Sequence, residues 1–199
     1  MDEQGQDEEQ NAELRRSGGG CLLTTSQLML RPPCRSDAEP MARIANNRKI
    51  AEQTRRIPHP YRVEDAFNWM EAIADSDDCG FLIIRKDDDA VIGAAGFGVA
   101  DDGDYEFGYW LGEPYWGKGY ATEAAHAVID YAFANRPVEM LYGRCRVVNA
   151  PSRRVLVKCG FQLIGCGMSD SRAFGGAVPV EEFVLERSVW ESLKQWGAA

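Results

Sequence analysis

The chain has 199 residues, 45% apolar and 27% charged, which suits one buried core and is ordinary for a globular domain. Its formal net charge of −9 divides into −4 over residues 1–20 and −5 over the rest, so duplex nucleic acid is not expected as the main ligand, because phosphate contacts need a basic surface. There is no apolar run of about 18 residues to span a membrane, the six cysteines lack C-x-x-C spacing, and His59 and His126 lie far from any cysteine pair, so no metal site is expected.

Residues 1–20 are polar and end in Ser17-Gly18-Gly19-Gly20. They read as a disordered acidic tail before a single domain over residues 21–199. With no basic-then-apolar leader, the expected address is cytoplasmic, where the cysteines act as small buried hydrophobes. Ser26 to Arg31 alternates as a first strand and stops at Pro32-Pro33. Ser36 or Asp37 caps a helix to about Asn46. After a loop with Pro58 and Pro60, the helical spacing of Val63, Phe67, Met70 and Ile73 predicts a second helix ending at Ala74.

Three strands follow, Phe81 to Arg85, Val91 to Val99 and Tyr105 to Leu111, with turns at Asp87-Asp88-Asp89 and Asp101-Asp102-Gly103. A helix runs from Gly119 to Asn135, a buried strand from Leu141 to Val148, and a short helix from Pro151 to Cys159, closed by Gly160. Phe161 to Gly165 and Glu182 to Arg187 are the last predicted strands, and Val189 to Trp196 is a C-terminal helix. This order fits neither a regular βαβ series nor an antiparallel stack. It predicts an α/β (α+β) fold: a mixed sheet with helices on both faces.

The most informative stretch is Gly108-Tyr109-Trp110-Leu111-Gly112-Glu113-Pro114-Tyr115-Trp116-Gly117-Lys118-Gly119-Tyr120-Ala121-Thr122-Glu123-Ala124, where a strand passes through a glycine loop into a helix. First-turn N–H groups lack intrahelical partners and carry the positive end of the dipole, and glycines leave room for an anion to approach. Lys118 adds a charge, so the loop has the makings of a pyrophosphate cradle. A Walker A loop fails because Gly119 stands where Ser or Thr must be, and a Rossmann fingerprint fails at Thr122. An ordinary helix start with turning glycines is the plain alternative.

Trp116 to Ala124 resembles the pyrophosphate-binding segment of the GNAT superfamily of N-acetyltransferases, in its RimJ/RimL-type branch. Gly119 and Ala121 match the usual pattern, and Trp116 replaces its leading Gln or Arg. Asn149-Ala150-Pro151-Ser152 followed by Lys158-Cys159-Gly160-Phe161 is similar to the family's N-x-x-S…K-x-G-F segment, with Val157 where a Glu often stands. Leu28 to Arg31 followed by Ser36-Asp37-Ala38-Glu39 resembles the branch's opening strand and helix.

The resemblance implies a mixed sheet of about six to seven strands that splays at the acetyl-CoA site. It also implies transfer of acetyl from acetyl-CoA to a primary amine, either a protein N-terminus or a small molecule, by a monomer or homodimer. Trp116, Gly117, Lys118, Gly119, Tyr120, Ala121 and Thr122 would hold the pyrophosphate. Tyr109, Trp110 and Leu111 would pair with pantetheine, on a bulged strand that leaves an N–H for the thioester oxygen. Asn149 would bind coenzyme A or order its helix, and Ser152 would protonate the thiolate unless it merely caps that helix. Glu106 is the candidate general base, expected to be partly buried between Tyr105 and Phe107, or else an exposed strand carboxylate; Glu182 is the second candidate. A non-catalytic acyl-CoA-binding or sensing module is the alternative function.

Overall fold

Successive side chains on a strand point to opposite faces, and in the middle of this sheet both faces are apolar. Ile83 and Ala95 belong to one buried cluster, while Leu82, Ile84 and Ala94 belong to another. Each face therefore needs a covering layer of helix.

The computed structural model describes residues 21–100 and 103–197; the tail expected at residues 1–20 and the turn at Asp101-Asp102 lie outside the described residues. Eight strands run in chain order: β1 (Leu23–Thr24), β2 (Leu28–Arg31), β3 (Cys79–Arg85), β4 (Ala90–Val99), β5 (Tyr105–Leu111), β6 (Met140–Arg146), β7 (Gln162–Ser171) and β8 (Gly176–Glu186). The helices are α1 (Ala38–Ala45), α2 (Arg48–Ala51), α3 (Val63–Ala74), α4 (Tyr120–Asn135), α5 (Ala150–Lys158) and α6 (Arg187–Gly197). None is long and apolar enough to cross a membrane.

The strands form one sheet in the order β1-β2-β3-β4-β5-β6-β8-β7. On one face, α4 contributes Ala125, Val128, Ile129 and Phe133, joined by Leu156 of α5 and by Val189 and Trp190 of α6. On the other, Met41 of α1, Ile50 of α2 and Met70 of α3 pack over Leu82 and Ile84. The entry to α1 is fixed by a partly buried ion pair. Asp37 accepts both Arg31 guanidinium N–H groups and the Cys34 N–H, each at 2.7 Å, so it locks the turn before α1 rather than capping it. Burial alone would raise the Asp37 carboxyl, but the bonds from Arg31 and Cys34 outweigh it and hold the group below its ordinary value.

The second helix and the strand at Tyr105 occupy the predicted spans. The sheet has eight strands rather than six to seven. The expected first strand starts at Leu28 rather than Ser26, because Glu123 on α4 accepts hydrogen bonds from Thr25, Ser26 and Gln27 and holds a turn there, and a further short strand, Leu23–Thr24, precedes the turn. The last two strands are much longer than predicted and form a hairpin, Gln162–Ser171 against Gly176–Glu186. One face of β7 meets solvent yet carries Ile164 and Met168 beside Asp170, so no apolar–polar alternation marked the strand beyond Gly165. The short helix α2 lacks the length for a readable period.

Among the described residues β5 and β6 are the only parallel neighbours, and they pair only at Tyr105↔Leu141, Glu106↔Tyr142 and Phe107↔Gly143. Beyond Phe107, β5 stays with β4 while β6 stays with β8. The two strands splay, and a wedge opens between Gly108–Leu111 and Arg144–Arg146.

Candidate functional site

Gly119 is the N-cap of α4 at φ 88° and Gly117 has φ 74°, left-handed values that suit glycine. No atom lies within 4 Å of where a Cβ would stand on either residue, so the loop presents bare backbone to open space. The first intrahelical bond runs from the Glu123 N–H to the Gly119 carbonyl at 3.1 Å, which leaves the N–H groups of Tyr120, Ala121 and Thr122 for an outside acceptor. Trp116 does not imitate a polar ligand. Its indole N–H donates to the Leu111 carbonyl at 2.7 Å and staples the loop onto the end of β5. Lys118 lies over the Tyr115 ring, 5.8 Å from its centroid, with its charge at the loop's edge. A diphosphate fits this donor set: three helix-start N–H groups, two open glycines and one ammonium.

On the α4 face, the Tyr109 ring stacks on Phe107 at 5.9 Å. Its hydroxyl donates to the Ser152 hydroxyl at 3.1 Å. Burial pushes the Tyr109 phenol up to about 12, against a smaller downward pull from the Ser152 bond. Ser152 is not the cap of α5. Asn149 is, its side-chain oxygen accepting the Ser152 N–H at 3.2 Å, so the Ser152 hydroxyl is left to meet Tyr109. A bulge was expected at Tyr109 to Leu111, but the β4–β5 register is unbroken from Gly93↔Leu111 to Val99↔Tyr105. The splay, not a bulge, frees the β5 backbone on the β6 side.

Glu106 faces the other way. Alternation sends Tyr105 and Phe107 into the α4-side core, so they do not wall the carboxylate as expected. Its neighbours are instead guanidinium groups, Arg144 at 2.9 Å and Arg55 at 3.8 Å. Arg144 also reaches Glu182, the other candidate, at 3.3 Å. Both carboxylates thus share one arginine on the face that carries α1 to α3, opposite the Tyr109–Ser152 pair.

A family model described as Acetyltransferase (GNAT) domain matches residues 27–162. The chain belongs to the GNAT acetyltransferase family. It is an acetyl-CoA-dependent acyltransferase. It is 31% identical over 169 residues to the uncharacterized N-acetyltransferase p20 of Bacillus licheniformis, covering 82% of this chain and 94% of that one. A ribosomal-protein-serine acetyltransferase of Escherichia coli is 32% identical over 88 residues, covering 43% of this chain and 48% of that one. The fold resembles a ribosomal-protein-S5-alanine acetyltransferase from Vibrio fischeri, with a TM-score of 0.73 at 19% identity over 85% of this chain and 98% of that one.

In this acetyltransferase the expected cradle residues Gly117 to Thr122 lie together at one loop, and Tyr109, Trp110 and Leu111 border the wedge. Trp110 turns its ring into the packing over α1 to α3, so only its backbone faces the wedge. The phenol of Tyr109 and the arginines around Glu106 were missed. The first needed the contact between β5 and α5, and the second needed a loop some 90 residues from β6. Alternation alone could have flagged that Glu106 points away from Phe107.

Proposed function

We propose that this enzyme belongs to the RimJ/RimL-type branch and acetylates a primary amine, a protein N-terminus or a small-molecule amine, in the cytoplasm. The observation that carries the reading is the parting of β5 from β6 just after Phe107↔Gly143, with the Gly117–Gly119 loop joining the far end of β5 to α4. The likeness to ribosomal-protein acetyltransferases supports the branch.

In this reading the diphosphate of acetyl-CoA binds the N–H groups from Gly117 to Thr122 beside Lys118, and pantetheine pairs with the open backbone of Tyr109 to Leu111. The amine approaches from the face of Glu106, which takes its proton directly or through a water while Arg144 fixes the carboxylate. The neutral amine nitrogen bonds to the acyl carbon, the carbon–sulfur bond breaks and the nitrogen sheds its second proton to water, while the thiolate takes a proton from the Ser152 hydroxyl, replenished along the bond from Tyr109, which solvent then reprotonates. Base and acid on opposite faces keep the two proton transfers from competing.

Calorimetry with acetyl-CoA in the absence of magnesium should give micromolar-range binding, and thiol release should follow when an accepted amine is added. ATP binding that requires magnesium, with no heat from acetyl-CoA, would sink the proposal.

A further inference from the structure

An amine-acetylating enzyme must admit a cation, yet the cleft on the Glu106 face is rich in guanidinium groups. It encloses about 560 Å³, and its lining includes Arg55, Arg56, Arg144, Arg172, Asp170 and Glu182. Even with Glu106 counted beside Arg144 and Arg55, four arginines face three carboxylates, a local cationic excess on a chain of formal net charge −9. A ligand that is only cationic, such as a polyamine, would be repelled there.

The cluster is built into the fold. The Arg172 N–H donates to the Arg55 carbonyl at 3.0 Å, tying the end of β7 to the loop after α2. Arg146 of β6 donates to the Glu52 carbonyl at 2.9 Å, and its guanidinium lies 4.7 Å from the centroid of the Phe174 ring. Charge is divided unevenly within it. Arg144 and Arg55 lie against Glu106, whereas among the described residues no ion pair engages Arg56 or Arg172, both exposed. The same segments bury hydrogen-bonding atoms that no protein group uses: the Ser171 hydroxyl oxygen, the Gln53 side-chain oxygen and Nε of Arg146. A planar guanidinium matches a carboxylate with two parallel hydrogen bonds.

Resting on the acetyltransferase reading, we propose that the acceptor is a primary amine with a carboxylate close by, its carboxylate held by Arg56 and Arg172 and its amine turned toward Glu106 and Glu182. That chemistry occurs in a free amino acid and in a protein N-terminus followed by Asp or Glu. The uneven pairing gives the cleft two halves of opposite duty: carboxylates for the ammonium, unpaired guanidiniums for the anion.

The test compares kcat/KM on free amino acids, on the same compounds as amides, on carboxy-amidated peptides beginning Ser-Asp-Glu or Ser-Lys-Lys, and on a polyamine. Carboxylate-bearing amines should be preferred by about tenfold or more, as expected for charge-assisted pairing. The R56E/R172E double variant should erase that preference while calorimetry finds acetyl-CoA affinity unchanged. Preference confined to the acidic peptide identifies a protein N-terminus, and preference for free amino acids identifies a small molecule. Equal rates within both comparisons, free acid against amide and acidic against basic peptide, or a faster polyamine, overturn the inference and leave the acetyltransferase reading standing. If no amine is acetylated, the same amines are titrated into the protein by calorimetry. Heat from the carboxylate compounds that disappears in R56E/R172E supports anion recognition, and no heat in the unaltered protein overturns it.

Discussion

Two hydroxyls and a carboxylate carry the proposed proton transfers, and the structure sets each among different neighbours. Glu106 sits at 2.9 Å from Arg144, so Glu106→Gln keeps the shape of the contact and removes the base. Turnover on an accepted amine should then fall by about 10²-fold or more, with acetyl-CoA affinity nearly unchanged. Unchanged turnover in the variant would remove Glu106 from the role. Tyr109→Phe should lower kcat by up to about 10²-fold, the low end for an acid catalyst, because the Ser152 hydroxyl loses its proton donor. Ser152→Ala should lower kcat at least as much as Tyr109→Phe, since Ser152 is the direct donor, but less than Glu106→Gln, since water can protonate a thiolate. With the phenol pushed up to about 12, Tyr109 stays protonated well into the alkaline range and contributes no alkaline limb at ordinary assay pH. Its side chain was invisible in the sequence as a functional group, because nothing in Gly108-Tyr109-Trp110 tells which of the aromatic residues meets α5.

Among the elements, the start of α4 is the one whose backbone is proposed to hold the diphosphate, and its sequence announces it. Glycines at φ 74° and 88° with open space around them are a local requirement, legible without any tertiary contact. Gly119→Asp should abolish acetyl-CoA binding, because a carboxylate then projects into the space where the diphosphate binds. The left-handed conformation adds a stability cost of about 1–2 kcal/mol. Gly175→Asp provides the control: Gly175 has φ 63° and open space too, but lies in the β7–β8 turn. It should show a similar drop in Tm and keep acetyl-CoA affinity by calorimetry. Loss of binding in both variants would make the effect one of folding rather than of the cradle. The β7–β8 hairpin shows the opposite case. Its exposed positions on β7 carry Ile164 and Met168 as well as Asp170, so no apolar–polar alternation marked it, and its length and its contribution of Arg172 to the cleft emerged only once β8 was paired on both edges.

For the molecule as a whole, buried thiols set an alkaline limit. All six cysteines are free, and Cys79, Cys145 and Cys159 are buried. Burial, reinforced by Glu181, pushes the Cys145 thiol up to about 11, and burial with Asp130 nearby pushes Cys159 up to about 12, from an ordinary 9.0. The folded state holds these protons more tightly than the unfolded chain. Their contribution to stability is therefore complete below the ordinary value and is lost as pH rises through the folded values. Tm should hold up to about pH 9 and fall beyond it, and Cys159→Ala should make that fall shallower whatever it costs at neutral pH. Dithiothreitol should leave Tm unchanged, since no cross-link constrains the unfolded chain. A large drop on reduction would contradict the free thiols.

The sequence by itself determined whatever depends on neighbours along the chain. The α3 and β5 spans follow from side-chain period, the α4 N-terminus from its glycines, and the mixed α/β class from element order. The family segments around Gly119 and Asn149 were legible for the same reason, because loop backbone geometry is a local property. What only the tertiary structure decided is which groups meet across the sheet. Glu106 lies against Arg144 and Arg55 rather than between its own aromatic neighbours, Ser152 meets Tyr109, and Arg172 is bonded to the Arg55 carbonyl. These contacts join segments tens to more than a hundred residues apart, and strand register selects them. A shift of one residue in β5 or β6 would turn Glu106, Tyr109 or Arg144 to the opposite face.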